Sequence, residues 1–120
     1  MDYEYINQSA KRKYESEKSM QKEYGKAIAE GMNKFLQAVY SAKNAYDIKS
    51  LPTFFMEHLK GNLKEYYSVS LDKKKSKWRL MIQMLDENNR GITPTSNENL
   101  FLKSVTKIRI GKLSEHYAEF

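Results

Sequence analysis

Hydrophobic positions along the chain change their period near its middle. From 20 to 42 they recur at three- and four-residue steps, through Tyr24, Ala27, Ile28, Met32, Phe35, Leu36, Val39 and Tyr40. That spacing predicts one buried helical stripe. Ahead of it, Asn7 and Ser9 are suitable N-caps for a charged helical run over 10–19. Gly25 and Gly31 each cost about 1 kcal/mol relative to Ala inside a helix, so a break is expected near Gly25. Two N-terminal helices result, the second with the larger apolar face. Tyr3-Glu4-Tyr5-Ile6 alternates aromatic and polar side chains and predicts a first strand. Leu51-Pro52 closes the helical half, because a residue before proline avoids the helix.

Beyond that point the period becomes two. Residues 66–71 alternate, 72–76 are polar, and 77–85 alternate again, which is a hairpin pattern with a long connection. Residues 86–98 hold Asn88-Asn89-Arg90-Gly91 and Thr93-Pro94-Thr95-Ser96, the chemistry of a loop. A third β-rich run follows over 106–112. The order of elements predicts an α+β domain with helices on one face of a small, mostly antiparallel sheet. Alternation puts Trp78, Leu80, Ile82 and Met84 on the helix side, with Tyr67, Val69, Leu71, Ile108 and Ile110. Arg79, Met81, Gln83, Lys107, Arg109, Tyr66, Ser68 and Ser70 then fall on an uncovered outer face. Cations beside hydroxyls and an aromatic ring suit single-stranded RNA, whose phosphates meet cations and whose bases stack. An ordinary solvated sheet face has the same composition.

With 120 residues the chain has the length of one domain, 1–120, whose main insertion is the loop at about 86–103. No apolar run is long enough to span a membrane. The segment Met1-Asp2-Tyr3-Glu4-Tyr5 lacks the basic-then-apolar layout of a secretory leader. Zero cysteines exclude disulfides and thiolate chemistry, and two histidines make no metal centre by themselves. No cofactor or metal is expected, and the expected setting is the cytoplasm. The net charge of +6 leans toward anionic partners, and its distribution sharpens the point. The first thirty residues are neutral, whereas 58–79 holds seven bases against Glu65 and Asp72. Part of that excess, Lys73-Lys74-Lys75, reads equally well as a solvated hairpin tip that steers polyanions.

The run from His58 through Leu59-Lys60-Gly61 to Tyr66-Tyr67-Ser68-Val69, followed by Trp78-Arg79-Leu80-Met81-Ile82, resembles the RelE/HigB toxins of bacterial toxin–antitoxin systems. That superfamily carries a leucine-lysine-glycine turn, an aromatic-Ser-aliphatic strand and an aromatic-Arg-aliphatic strand. It closes on a strand and a short acidic or aromatic tail, comparable to Gly111-Lys112-Leu113-Ser114-Glu115-His116-Tyr117. The likeness covers nearly the whole chain. Departures are the loop before Lys103, the presence of Glu57 where the pattern has its first histidine, and Lys112-Leu113 in place of a second arginine.

The resemblance implies a β-α-α-β-β-β fold and ribosome-dependent cutting of messenger RNA. A ribose 2′-OH would attack its own 3′ phosphate, giving a cyclic phosphate and a free 5′-OH. This chemistry needs a base, an acid and cations for the phosphorane charge. Arg79 is the expected phosphate clamp, because its fork matches two oxygens and keeps its proton. His116 is the expected proton carrier, with Glu115 as alternative base. Lys60 joins the catalytic set. Lys64, Tyr66, Lys107, Arg109, Tyr117 and His58 are the RNA-binding candidates, His58 having a turn role as its alternative. The implied partners are a cognate, HigA-like antitoxin that is also a DNA-binding repressor, together with the ribosome and its message. The related ParE branch, which inhibits gyrase and cuts nothing, is the rival reading, and an RNA-binding module without chemistry is a third.

Overall fold

The alternating second half builds the centre of a five-stranded sheet. The computed structural model describes residues 1–115. Its strands are β1 (Asp2–Tyr5), β2 (Glu57–His58), β3 (Tyr67–Val69), β4 (Arg79–Met84) and β5 (Lys107–Ser114). They lie in the order β1-β5-β4-β3-β2. β1 runs parallel to β5 and every other pair is antiparallel. The fold is α+β, as the sequence pattern predicts. Edge strand β2 went unpredicted, being only two residues long and carrying no alternation to detect.

The helices follow their caps. Asn7 accepts the Ala10 amide at 2.8 Å and starts α1 (Gln8–Tyr14). The single run expected over 10–19 is split, because Ser16 accepts the Ser19 amide at 3.2 Å and starts α2 (Glu17–Tyr24). Gly25, at φ +92°, supplies the expected break before α3 (Lys26–Ser41). α4 (Ala45–Lys49) is capped by Asn44. The expected loop contains α5 (Glu98–Ser104), capped by Asn97 through the Leu100 amide at 3.0 Å. Leu102 of that helix and Val105 just after it are buried in the core, so the segment is structural at its far end.

Helix α3 supplies the main apolar face. Ile28, Met32, Phe35 and Val39 are buried, as are Tyr67, Val69, Leu80, Ile82, Met84, Ile108 and Ile110 of the sheet. All of them belong to one continuous core. Phe35 meets Phe54 edge to face at 5.3 Å, the geometry that aromatic quadrupoles favour. Trp78 is half-buried and edge-on to Tyr24 at 4.8 Å, which confirms the expected facing of β4. Among the described residues no helix is long and apolar enough to cross a membrane.

Gly31 marks a close approach of α3 to the chain just beyond β3. A Cβ there would stand 1.8 Å from the Leu71 carbonyl oxygen, a backbone atom that cannot swing aside. Gly31→Ala is therefore expected to cost at least ~1–3 kcal/mol as an overpacking substitution. Phe35→Ala should cost about 3–5 kcal/mol. Urea unfolding measures both. A Gly31→Ala protein as stable as the parent would show that α3 is not seated on Leu71.

Candidate nucleic-acid interface

Arg79 opens β4 with its neighbour Leu80 turned into the core, so its own side chain leaves on the outer face. Its Nη1 donates to the carbonyls of Ser76 and Trp78, both at 2.7 Å, which fixes the guanidinium at the base of the hairpin. No carboxylate pairs with Arg79 among the described residues. Across the ladder it faces Ser114, and exposed Glu115 follows directly. His116 and Tyr117, named above as proton carrier and RNA contact, lie outside the described residues.

A bulge shapes the strand beside it. Leu80 pairs with Leu113 and Ile82 with Ile110, so Gly111 and Lys112 together oppose the single residue Met81. The extra residue resets the alternation: Ile108, Ile110 and Leu113 all reach the core although their spacing is not uniform. Gly111 permits the crowding, since a Cβ there would lie 2.9 Å from the Met81 carbonyl oxygen. The Gly111 carbonyl accepts the Tyr14 hydroxyl at 2.7 Å in a buried site, tying the bulge to α1.

Lys60 and Lys64 flank a 3-10 turn, Gly61–Leu63, whose first residue has φ +65°. Both lysines are exposed, and neither has a carboxylate partner among the described residues. The turn lies in the connection between β2 and β3, which is closed by the Leu59 amide on the Tyr66 carbonyl at 3.1 Å. This connection folds over the sheet. Leu63 and Tyr66 join Ile6, Met81, Gly111 and Lys112 around a cleft of about 250 Å³. Met81 lies two residues from Arg79 on the same strand face, so the cleft adjoins the arginine.

Three expectations about this face need correction. Ser68, Ser70 and Met81, all expected on the uncovered face, are buried. Ser68 lies between Glu57 of β2 and Met81 of β4, and Ser70 closes the hairpin loop by accepting the Lys74 amide at 2.7 Å. His58 pairs with Tyr67 and stacks on its ring at 4.9 Å, so it sits on the helix side of the sheet, away from Arg79. Its Nε2 meets the Lys64 carbonyl at 2.7 Å, which is the turn role. Lys107 and Arg109 do reach the outer face, but Glu4 pairs with both, at 4.0 and 3.6 Å. Arg109 also donates to Gln83 at 3.0 Å and to the Asn89 carbonyl at 2.8 Å, and Lys107 bonds the Asn89 side chain. These two cations hold the 86–92 turn and are the less available for phosphate.

The outer face thus holds two kinds of cation. Arg79, Lys60 and Lys64 carry no carboxylate partner among the described residues. Lys107 and Arg109 share the one carboxylate of Glu4. A fork donor, two exposed ammonium groups and an aromatic-walled cleft are the groups that a phosphate-and-base site uses. Sequence reading found Arg79, Lys60, Lys64 and Tyr66. It missed Met81, Ile6 and Leu63 as a cleft and Gly111 as a bulge, although a glycine inside a strand pattern is a bulge signal. No family model, curated protein or solved structure matches the chain.

Burial pushes the Tyr14 phenol up to about 12. It also raises Tyr67, whose hydroxyl meets Glu98 at 3.3 Å. A phenol whose folded value is raised keeps a proton that the unfolded chain releases. Its stabilisation is complete below pH 10, the ordinary value, and is lost as pH climbs toward about 12. Tyr14→Phe should cost about 1–3 kcal/mol by leaving the Gly111 carbonyl unpaired. It should also make the alkaline loss of stability shallower. Urea midpoints of both proteins above pH 10 test this; parallel curves would mean that Tyr14 does not report on the fold.

Proposed function

We propose that the protein is the toxin of a toxin–antitoxin pair, a cytoplasmic, ribosome-dependent endoribonuclease that cuts translated messenger RNA and so inhibits translation. The observation that carries this reading is Arg79. It is a half-buried guanidinium, anchored through one nitrogen and unpaired with any described carboxylate, on the outer face two residues along β4 from Met81 of the cleft. The resemblance in 58–82 supports the same role for the same residue.

In this reading Arg79 receives the phosphate as the 2′-OH attacks, its free edge meeting the charge that grows on the phosphorane oxygens. Lys60 and Lys64 hold the neighbouring phosphates, and Tyr66 offers a ring to a base. A proton leaves the 2′-OH and another reaches the departing 5′ oxygen. His116 carries one of these, with Glu115, which directly follows Ser114, as the alternative. The ribosome supplies substrate geometry, so slow cutting of free RNA is consistent with the role. The partner is a small antitoxin that doubles as a DNA-binding repressor, with an acidic segment to meet the basic 58–79 region.

Single-turnover cleavage of ribosome-bound message tests the site. Arg79→Ala should abolish cutting with little loss of stability, and Arg79→Lys should restore it only in part, since a point charge does not replace the fork. His116→Ala should slow cleavage by at least about a hundredfold. A normal rate for His116→Ala with a loss in Glu115→Ala assigns the proton to Glu115. Intact transcripts together with supercoiling defects on expression would replace the nuclease by a gyrase inhibitor.

A further inference from the structure

The sheet has two edges, and they are treated differently. At one, β2 contributes only two residues, a short edge that offers little to a passing strand. At the other, β1 presents four. The Asp2 amide donates to Thr106 and the Ile6 amide to Ile110, so the even positions of β1 bond to β5. The amides and carbonyls of Tyr3 and Tyr5 therefore point to the free side. Among the described residues nothing pairs with them.

Two grooves run along this edge and meet at Tyr3 and Glu15. One, of about 530 Å³, lies between Tyr3 and the flank of α3, where Leu36 and Tyr40 stand with Glu17 opposite. The other runs past Glu4, Tyr5, Gln8 and Lys11. Apolar groups mark both ends: Tyr40, 80% exposed, has its carbonyl beside the start of β1, and Ile6, 44% exposed, follows its end. The charge is acidic. Asp2, Glu15 and Glu17 have no ion pair among the described residues. Lys11 is the one base lining either groove. In a protein of net charge +6 this corner is a local reversal of sign.

We propose that the outer edge of β1 takes an extended segment of a partner protein as a sixth strand, with Lys or Arg at alternate positions. The backbone of Tyr3 and Tyr5 supplies the ladder bonds. Glu15 and Glu17 meet the basic side chains, whose stems rest against Tyr3, Leu36 and Tyr40, and the intervening side chains lie on the outer face beside Asp2. A second copy of this chain is disfavoured on this edge, since pairing β1 with itself would bring two acidic corners together. The assignment stands apart from the nuclease reading and survives its failure.

Amide hydrogen exchange of the full chain, with and without a short synthetic peptide alternating Lys and Val, tests it. The peptide should slow exchange at Tyr3 and Tyr5, and N-methylation of its bonding amides should remove the effect. A peptide with Glu in place of Lys should not bind. Glu15→Gln and Glu17→Gln should each weaken binding by about two- to fivefold, the range of a partly exposed ion pair. No slowing at these two amides overturns the proposal, as does equal binding of the Glu peptide. Protection already present without peptide would show the edge occupied by the chain itself or, if it grows with protein concentration, by a second copy.

Discussion

Helix α3 lying against the inner face of the sheet is the contact on which the remaining elements depend. Met32, Phe35 and Val39 are fully buried in the same core as the sheet's inward residues, with Met20, Ile48 and Leu102 of the other helices around them. The fit is set by backbone as much as by side chains, because Gly31 lets the helix approach the Leu71 carbonyl at a distance that no other residue allows. Leu71 begins the loop that leads to Arg79. The position of the arginine is therefore inherited from helix packing on the far side of the sheet.

The outer face is shaped by two segments that add bulk to it. The 59–66 connection folds over the middle and encloses Met81. The turn over 86–92 is held down by Arg109 and Lys107. Between them the Gly111 bulge bends β5 where it passes Met81, and Tyr14 fixes the displaced carbonyl from the other side. A flat sheet would scatter its cations evenly. This one leaves Arg79, Lys60 and Lys64 without a described carboxylate and gives Lys107 and Arg109 a shared one in Glu4.

What the sequence made legible is what local periodicity controls. The centre of the α3 stripe (Ile28, Met32, Phe35 and Val39), the hairpin over 66–85 and the inward set Leu80, Ile82, Met84, Ile108 and Ile110 follow from spacing, whereas Ala27 and Tyr40, expected in that stripe, are exposed. Arg79 was legible for the same reason, as the outward neighbour of an inward leucine. Missed features depend on contacts distant along the chain. Ser68 reads as exposed until Met81 and the 59–66 connection are placed beside it. Lys107 and Arg109 read as free until β1 brings Glu4 alongside them. His58 had no face that spacing could assign, because β2 is too short to announce a strand, and its pairing with Tyr67 decides the side. Ser16 split a helix because charged runs hide caps, and α5 hid behind the Thr-Pro-Thr-Ser segment that precedes its Asn97 cap.

The parallel pairing of β1 with β5 also sets the order in which the molecule can be completed. Asp2 to Tyr5 are registered against 107–110, so the first strand made has no partner until nearly the last has been synthesised. Closing so long a loop depends on the helices and the β3–β4 hairpin having already gathered between them. During translation the growing chain therefore holds its hairpin and helices without the strand that carries Lys112 and Ser114 past Met81 and Arg79. The outer face is complete only once 107–114 has joined β1 on one side and β4 on the other.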